Sequence, residues 1–284
     1  MGELDGLGYR GRTVVVTGCT SGMGKAVAEI LSDLGARVHA VGRRAPAVAH
    51  AAFYRTDLVE PDQIAATAAA LRRVGPIDHL FNCAGVPHMI GGPLHCMLVN
   101  YIGTRFLTEQ VLASLVDGAG IANVASNAGM GWQRRLPDIL ELLAVTDPVQ
   151  ARTWCEQHME VVADGYSLSK EALIVWTLRQ AVAWGQDRGV RMTCIAPGPT
   201  RTAFMDEAVR DMGQAYFDRL PYPTLGRMAT PHEQAWPMIL LNSSLNAVAS
   251  GNVLYTDQAV AGGMLTGAID AAVFRRDFVA ETAT

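Results

Sequence analysis

Apolar residues run without a break through Thr13-Val14-Val15-Val16-Thr17. From Met23 the pattern changes, and Val27, Ile30, Leu31 and Leu34 recur at three- and four-residue steps until Gly35. The first segment predicts a buried strand and the second an amphipathic helix. The alternation continues along the chain. Strands are predicted at 37–41, 77–81, 121–125, 190–195 and 252–255, with a further one expected just before Asp57. Helices are predicted at 61–73, 97–115, 166–186 and 231–241. Strands that are apolar on both faces and alternate with helices predict an α/β fold, a doubly wound parallel sheet covered on both sides.

Between Gly129 and Asp164 the rhythm breaks. No strand is predicted there, but Leu136, Ile139, Leu140 and Leu143 follow a helical stripe. Asp147-Pro148-Val149-Gln150 then offers an N-cap, a first-turn proline and a capping-box glutamine. We read residues 129–164 as a helical insertion on a single domain spanning 1–284, since no linker, repeat or low-complexity tract divides the chain.

Composition narrows the class. Half of the 284 residues are hydrophobic and 18% are charged, as in a well-buried globule. A net charge of −4, with no block of more than two basic residues, leaves no footprint for nucleic acid. Five scattered cysteines (Cys19, Cys83, Cys96, Cys155 and Cys194) without a C-x-x-C pair argue against a disulfide framework or a zinc site. His88, His95 and His158 have no acidic residue completing a metal constellation, so no metal is expected. Met1 to Asp5 lack a basic region followed by an apolar core, and no apolar stretch is long enough to span a bilayer. A cytoplasmic protein without a membrane segment is the expectation.

Two segments carry candidate chemistry. Thr17-Gly18-Cys19-Thr20-Ser21-Gly22-Met23-Gly24 joins the first strand to the first helix. Glycines there permit a tight turn, and the free N–H groups of the helix start attract a pyrophosphate. After the second strand, Gly42-Arg43-Arg44 supplies no acidic side chain for ribose hydroxyls, whereas Arg43 suits a 2′-phosphate. NADP(H) is therefore favoured, with NAD(H) as the alternative. Asp57-Leu58 lies where the adenine amino group would be met. The second segment is Tyr166-Ser167-Leu168-Ser169-Lys170. At i and i+4 a phenol and an ammonium share a helix face, and the cation favours phenolate.

In chain order, Gly18, Gly22 and Gly24, then Asp57, Asn82-Cys83-Ala84-Gly85, Asn100, Asn123-Val124-Ala125-Ser126, Tyr166 with Lys170, and Pro197-Gly198-Pro199-Thr200-Arg201-Thr202 resemble the short-chain dehydrogenase/reductase family. The resemblance implies that Thr20, Ser21 and Met23 join the glycines in holding cofactor. It places Asn82, Ala84 and Gly85 along the adenosine ribose, and Pro197, Gly198, Thr200 and Thr202 at the carboxamide. Tyr166 would exchange the proton, Lys170 would hold the nicotinamide ribose and depress the tyrosine pKa, and Ser126 would bond the substrate oxygen. Asn100 would bend its helix around a water leading to Lys170. A homo-oligomer, dimer or tetramer, is also implied.

Departures from the family pattern are informative. Cys83 stands where a second asparagine is frequent, and Asp257-Gln258-Ala259 replaces Asp-Gly-Gly. Ser126 and Tyr166 are 40 positions apart (166 − 126) rather than about a dozen, and the stretch from Gly85 to Asn100 is short. Both length changes resemble a subgroup that includes bacterial coniferyl alcohol dehydrogenase and 3α-hydroxysteroid dehydrogenase/carbonyl reductase. Trp132–Leu136, Lys170–Trp176 and Val190–Pro199 carry that likeness. The subgroup is often NAD-linked through an acidic residue at the Gly42 position, which this chain lacks.

The expected activity is hydride transfer between a nicotinamide cofactor and a small-molecule alcohol or ketone. Met89, Ile90, Leu94, Trp132, Leu136, Trp154, Phe204, Met205, Tyr216, Phe217 and Tyr222 are candidate walls for a bulky apolar substrate. The insertion is expected to decide which alcohol enters. The competing readings are an enoyl reductase of the same fold and a dinucleotide sensor without catalysis.

Overall fold

A computed structural model describes residues 5–274. Residues 1–4, which belong to the segment read for a signal peptide, lie outside the described range. Seven parallel strands form one sheet: β1 Thr13–Thr17, β2 Arg37–Gly42, β3 Ala52–Arg55, β4 Ile77–Asn82, β5 Leu115–Val124, β6 Arg191–Pro197 and β7 Asn252–Thr256. Their order is β3-β2-β1-β4-β5-β6-β7. The chain winds outward from β1 in one direction, then returns to build outward from β4 in the other. The β1/β4 junction is the switch point, and a crevice opens beyond the strand ends there.

The helices in chain order are α1 Gly22–Asp33, α2 Pro61–Val74, α3 Gly92–Cys96, α4 Thr104–Val111, α5 Leu136–Ala144, α6 Pro148–Gln157, α7 Met159–Val162 and α8 Gly165–Arg188. They continue with α9 Ala203–Met212, α10 Gln214–Asp218, α11 Pro231–Asn242 and α12 Val260–Thr266. The pleat of β1 separates two cores. Val15 faces α2, α4 and α8, whereas Val14 and Val16 face α1 and α11.

Sequence and structure differ most around 97–115. The expected single helix starts as α3, continues through a π-helical turn at Met97–Gly103 and ends with α4. Leu115 already belongs to β5, where it pairs with Ile77. Its apolar side chain suits either element, and strand pairing decides the outcome.

The insertion folds as α5, α6 and α7. Pro148 opens α6 and the Asp147 carboxylate accepts from the Gln150 N–H at 2.9 Å. Ile139, Leu142, Trp154 and Cys155 are buried in the α8-side core. Among the described residues, no helix is long and apolar enough to cross a membrane.

Candidate active site

The β1–α1 turn is built for close approach. Gly18 has φ +75°, and a Cβ there would lie 2.8 Å from the Ala84 Cα; at Gly24 it would lie 2.4 Å from the Gly18 carbonyl oxygen. Thr17 Oγ1 accepts from both the Cys83 and Ala84 N–H groups at 3.0 Å, locking this turn to the end of β4. From the facing bank, Thr202 approaches Gly22, where a Cβ would meet its methyl at 3.2 Å. Thr202 also caps α9 by accepting from the Met205 N–H. The two banks enclose a cleft of about 980 Å³ at the switch point. A cradle that any side chain would fill, under the N-terminus of α1, fits a dinucleotide pyrophosphate.

At the inner end, Ser126 leaves β5 and its Oγ accepts from the Ala128 N–H at 3.2 Å. Helix α8 is opened by Asp164, whose carboxylate accepts from the Ser167 N–H at 3.2 Å, and it projects Tyr166 and Lys170 from its first turns. The Lys170 ammonium is buried, donates to the Val124 carbonyl at 2.8 Å and stands 5.8 Å from the centroid of the Tyr166 ring. Phe204 packs against the same ring, with centroids 5.6 Å apart.

Known proteins share this fold. A family profile described as short chain dehydrogenase matches residues 12–136, and one described as Enoyl-(Acyl carrier protein) reductase matches residues 152–261. The chain is similar to a coniferyl-alcohol dehydrogenase from Pseudomonas sp. (39% identity over 72% of this chain and 78% of the relative). It is also similar to the 3-alpha-hydroxysteroid dehydrogenase/carbonyl reductase of Comamonas testosteroni (27% identity over 87% of this chain and 95% of the relative). A solved 3-alpha-hydroxysteroid dehydrogenase from Pseudomonas sp. B-0831, complexed with NADH, superposes with a TM-score of 0.74 (28% identity over 90% of this chain and 98% of that one).

The chain belongs to the short-chain dehydrogenase/reductase family. It is an oxidoreductase of the alcohol dehydrogenase/carbonyl reductase kind, working with a dinucleotide cofactor.

Electrostatics at the inner end follow burial. Desolvation pushes the Tyr166 phenol up to about 12, and the hydrogen bond with Ser126 opposes that rise. The same desolvation pushes Lys170 down to about 8.

Most of the expected residues share this cleft. Gly18, Thr20, Ser21, Gly22, Met23, Gly24, Arg43, Asp57, Leu58, Ala84, Gly85, Ser126, Tyr166, Lys170, Pro197, Gly198, Thr200 and Thr202 all line it. Asn82 does not. Its buried Nδ2 donates to Thr108 at 2.9 Å and to Asn123 at 2.8 Å, and Asn123 donates on to Thr177, so it ties the sheet to α4 and α8, while its Oδ1 has no hydrogen-bond partner among the described residues. Asn100 also stands behind the cleft. In the π-helical turn it holds Val86 through two hydrogen bonds and donates to Ser169 at 3.2 Å.

The insertion corrects another expectation. Of its residues only Met130, Ala163 and Asp164 reach the cleft, while Trp132, Leu136 and Trp154 pack in the core. Ile90, Leu94 and Tyr222 also lie off the wall. Of the expected wall residues Met89, Phe204, Met205, Tyr216 and Phe217 do line the cleft, and they are joined by Met212 and, from the C-terminal side, Met264 and Phe274. Met264 and Phe274 were missed because they lie beyond the last strand, with no periodic signal. Only a tertiary contact, Tyr216 donating to the Phe274 carbonyl at 3.1 Å, brings that segment back over the cleft.

Proposed function

We propose that this enzyme interconverts a bulky, apolar secondary or aryl/allylic alcohol and its ketone or aldehyde, with Tyr166 as the proton acceptor and donor. The observation that carries the reading is the convergence of Ser126, Tyr166 and Lys170 on the inner wall of the cleft that begins at the glycine turn. In oxidation, the Ser126 hydroxyl would orient the substrate oxygen. Tyr166, as the phenolate that the Lys170 ammonium favours, would take the hydroxyl proton and become the neutral phenol. The bound nicotinamide supplies the hydride acceptor. Gly18, Gly22 and Gly24 with Thr200 and Thr202 hold the cofactor from both banks. A wall of methionine and phenylalanine side chains presents no charge to the substrate and adapts to a large apolar body.

NADP(H) is the favoured cofactor in this reading. Arg43 is exposed at the cleft mouth, and Gly42 offers no carboxylate to repel a 2′-phosphate. NAD(H) is the second reading, because the Pseudomonas relative is a complex with NADH. Self-association belongs to the same proposal, supported by Trp236 and Leu240, which are exposed one helical turn apart on α11.

The test is a spectrophotometric screen of apolar alcohols and ketones with both cofactors, in the wild type and Tyr166→Phe. An enoyl thioester is included because the second profile carries that name. Alcohol oxidation is expected in the wild type and its near-complete loss in the variant. Undiminished turnover by Tyr166→Phe would remove the proposed mechanism. Arg43→Ala is expected to weaken NADPH much more than NADH.

A further inference from the structure

Directly after Lys170, helix α8 carries a second ionisable residue. Glu171 is 3% exposed, an expensive place for a carboxylate. The side chain that meets it comes from the insertion. The Arg135 guanidinium donates from Nη2 to Oε1 at 3.3 Å, and its Nε lies 2.9 Å from Oε2 without the alignment of a hydrogen bond. The same guanidinium reaches the Asp164 carboxylate at 3.7 Å, so one cation spans the N-cap and the second turn of α8.

The chain between Ser126 and Arg135 is pressed against this helix. A Cβ on Gly129 would lie 3.0 Å from the Lys170 carbonyl carbon, and one on Gly131 would lie 3.4 Å from Glu171 Oε1. Ser126 and Tyr166 sit on different elements; Arg135 stands nine residues beyond Ser126, and its contact with Glu171 ties that stretch of chain to the helix that carries Tyr166, from outside the cleft wall.

We infer that Glu171 and Arg135 are positioning residues, an ionic clasp through which the insertion sets the distance between Ser126 and Tyr166. This rests on the roles proposed above for those two residues. The clasp is strongest when Glu171 is ionised. Burial pushes its carboxyl up to about 7, opposed by Arg135 and Arg134 and reinforced by Asp164; these charged groups face it from the insertion and from the helix cap. The clasp therefore adds a contribution to turnover as pH rises through neutrality, superimposed on the titration of Tyr166 and Lys170.

The experiment compares Glu171→Gln, Arg135→Met and Arg135→Lys with the wild type. The readouts are kcat and KM across pH, and NADPH and NADH affinity by fluorescence titration. Glu171→Gln and Arg135→Met are each expected to lower kcat about tenfold while leaving the affinity of the tighter-binding cofactor within about twofold, because a misplaced group costs the chemical step rather than binding. Glu171→Gln should also lose the clasp's share of the kcat rise near pH 7, read as a difference between its pH profile and that of the wild type, and Arg135→Lys should recover part of the rate.

Wild-type kcat with an unchanged pH profile in Glu171→Gln overturns the inference. So does an equal loss of cofactor binding, or failure of all three variants to fold, since either outcome marks a structural pair. Tyr166→Phe is measured alongside. If it stays active, the mechanism itself is wrong; if it is inactive while Glu171→Gln is normal, only the clasp falls.

Discussion

The Asn100 carboxamide holds both backbone polar groups of Val86, accepting from its N–H at 2.8 Å and donating to its carbonyl at 3.0 Å. Val86 lines the cleft just beyond β4, so one side chain in the π-helical turn stands in for the strand pairing that the segment has left. Burial makes this arrangement demanding, because a buried donor or acceptor without a partner costs stability.

Asn100→Ala should therefore destabilise the protein by roughly 2 kcal/mol, with the Val86 N–H left unpaired and its carbonyl left with the Cys96 thiol at 3.7 Å. Asn100→Asp keeps the acceptor and loses the donor, so it should fall between the two in urea denaturation. Equal midpoints for wild type and Asn100→Ala would show that water replaces the carboxamide.

Neighbouring residues on α8 should give stability opposite pH dependences. Burial lowers Lys170 from its ordinary 10.5 to about 8, so the fold binds fewer protons than the unfolded chain between those values and stability rises with pH there. Burial raises Glu171 from 4.5 to about 7, so stability is fullest below about 4.5 and declines as pH climbs through about 7. Denaturation midpoints measured across pH should lose the acid-side decline in Glu171→Gln and the alkaline-side rise in Lys170→Met. Identical curves in wild type and variants would contradict the assigned burial effects.

Cofactor should stabilise the fold through the glycine cradle. At about a hundredfold over Kd, a dinucleotide contributes roughly 2.7 kcal/mol, on the order of a 5 °C rise in Tm. Gly24→Ala places a methyl against the Gly18 carbonyl oxygen and should abolish that shift. A full thermal shift in this variant would mean that the pyrophosphate is held elsewhere.

Ala259 adopts φ +70°, a left-handed conformation that a Cβ disfavours, and Gln258 beside it has φ +61°. Gln258 is held there by its side chain, which accepts from the Leu225 N–H and donates to the Arg227 carbonyl, both at 2.8 Å. Ala259→Gly should stabilise by about 1 kcal/mol. Gln258→Gly should not, since it releases the 225–227 loop as it relieves the backbone. Calorimetry on the two variants checks this contrast.

By itself the sequence determined the order of strands and helices, the parallel sheet and the glycine turn. These rest on local physics: runs of β-branched residues, helical periodicity, and glycines where a turn leads into a helix. The Tyr166 and Lys170 pair was legible from its i, i+4 spacing at a helix start, whereas Ser126 was singled out only by the family resemblance. What lay beyond it depends on contacts between distant segments. Asn82 reads as a site residue, and only the fold shows its Nδ2 donating to Asn123 and Thr108. Leu136 and Trp154 read as pocket walls, yet an apolar stripe does not say which apolar surface will cover it; the tertiary structure turned them into the core and brought Phe274 to the cleft. The long gap before Tyr166 was visible at once. Only the fold revealed that its Arg135 reaches Glu171, because an ion pair between residues 36 positions apart leaves no periodic trace.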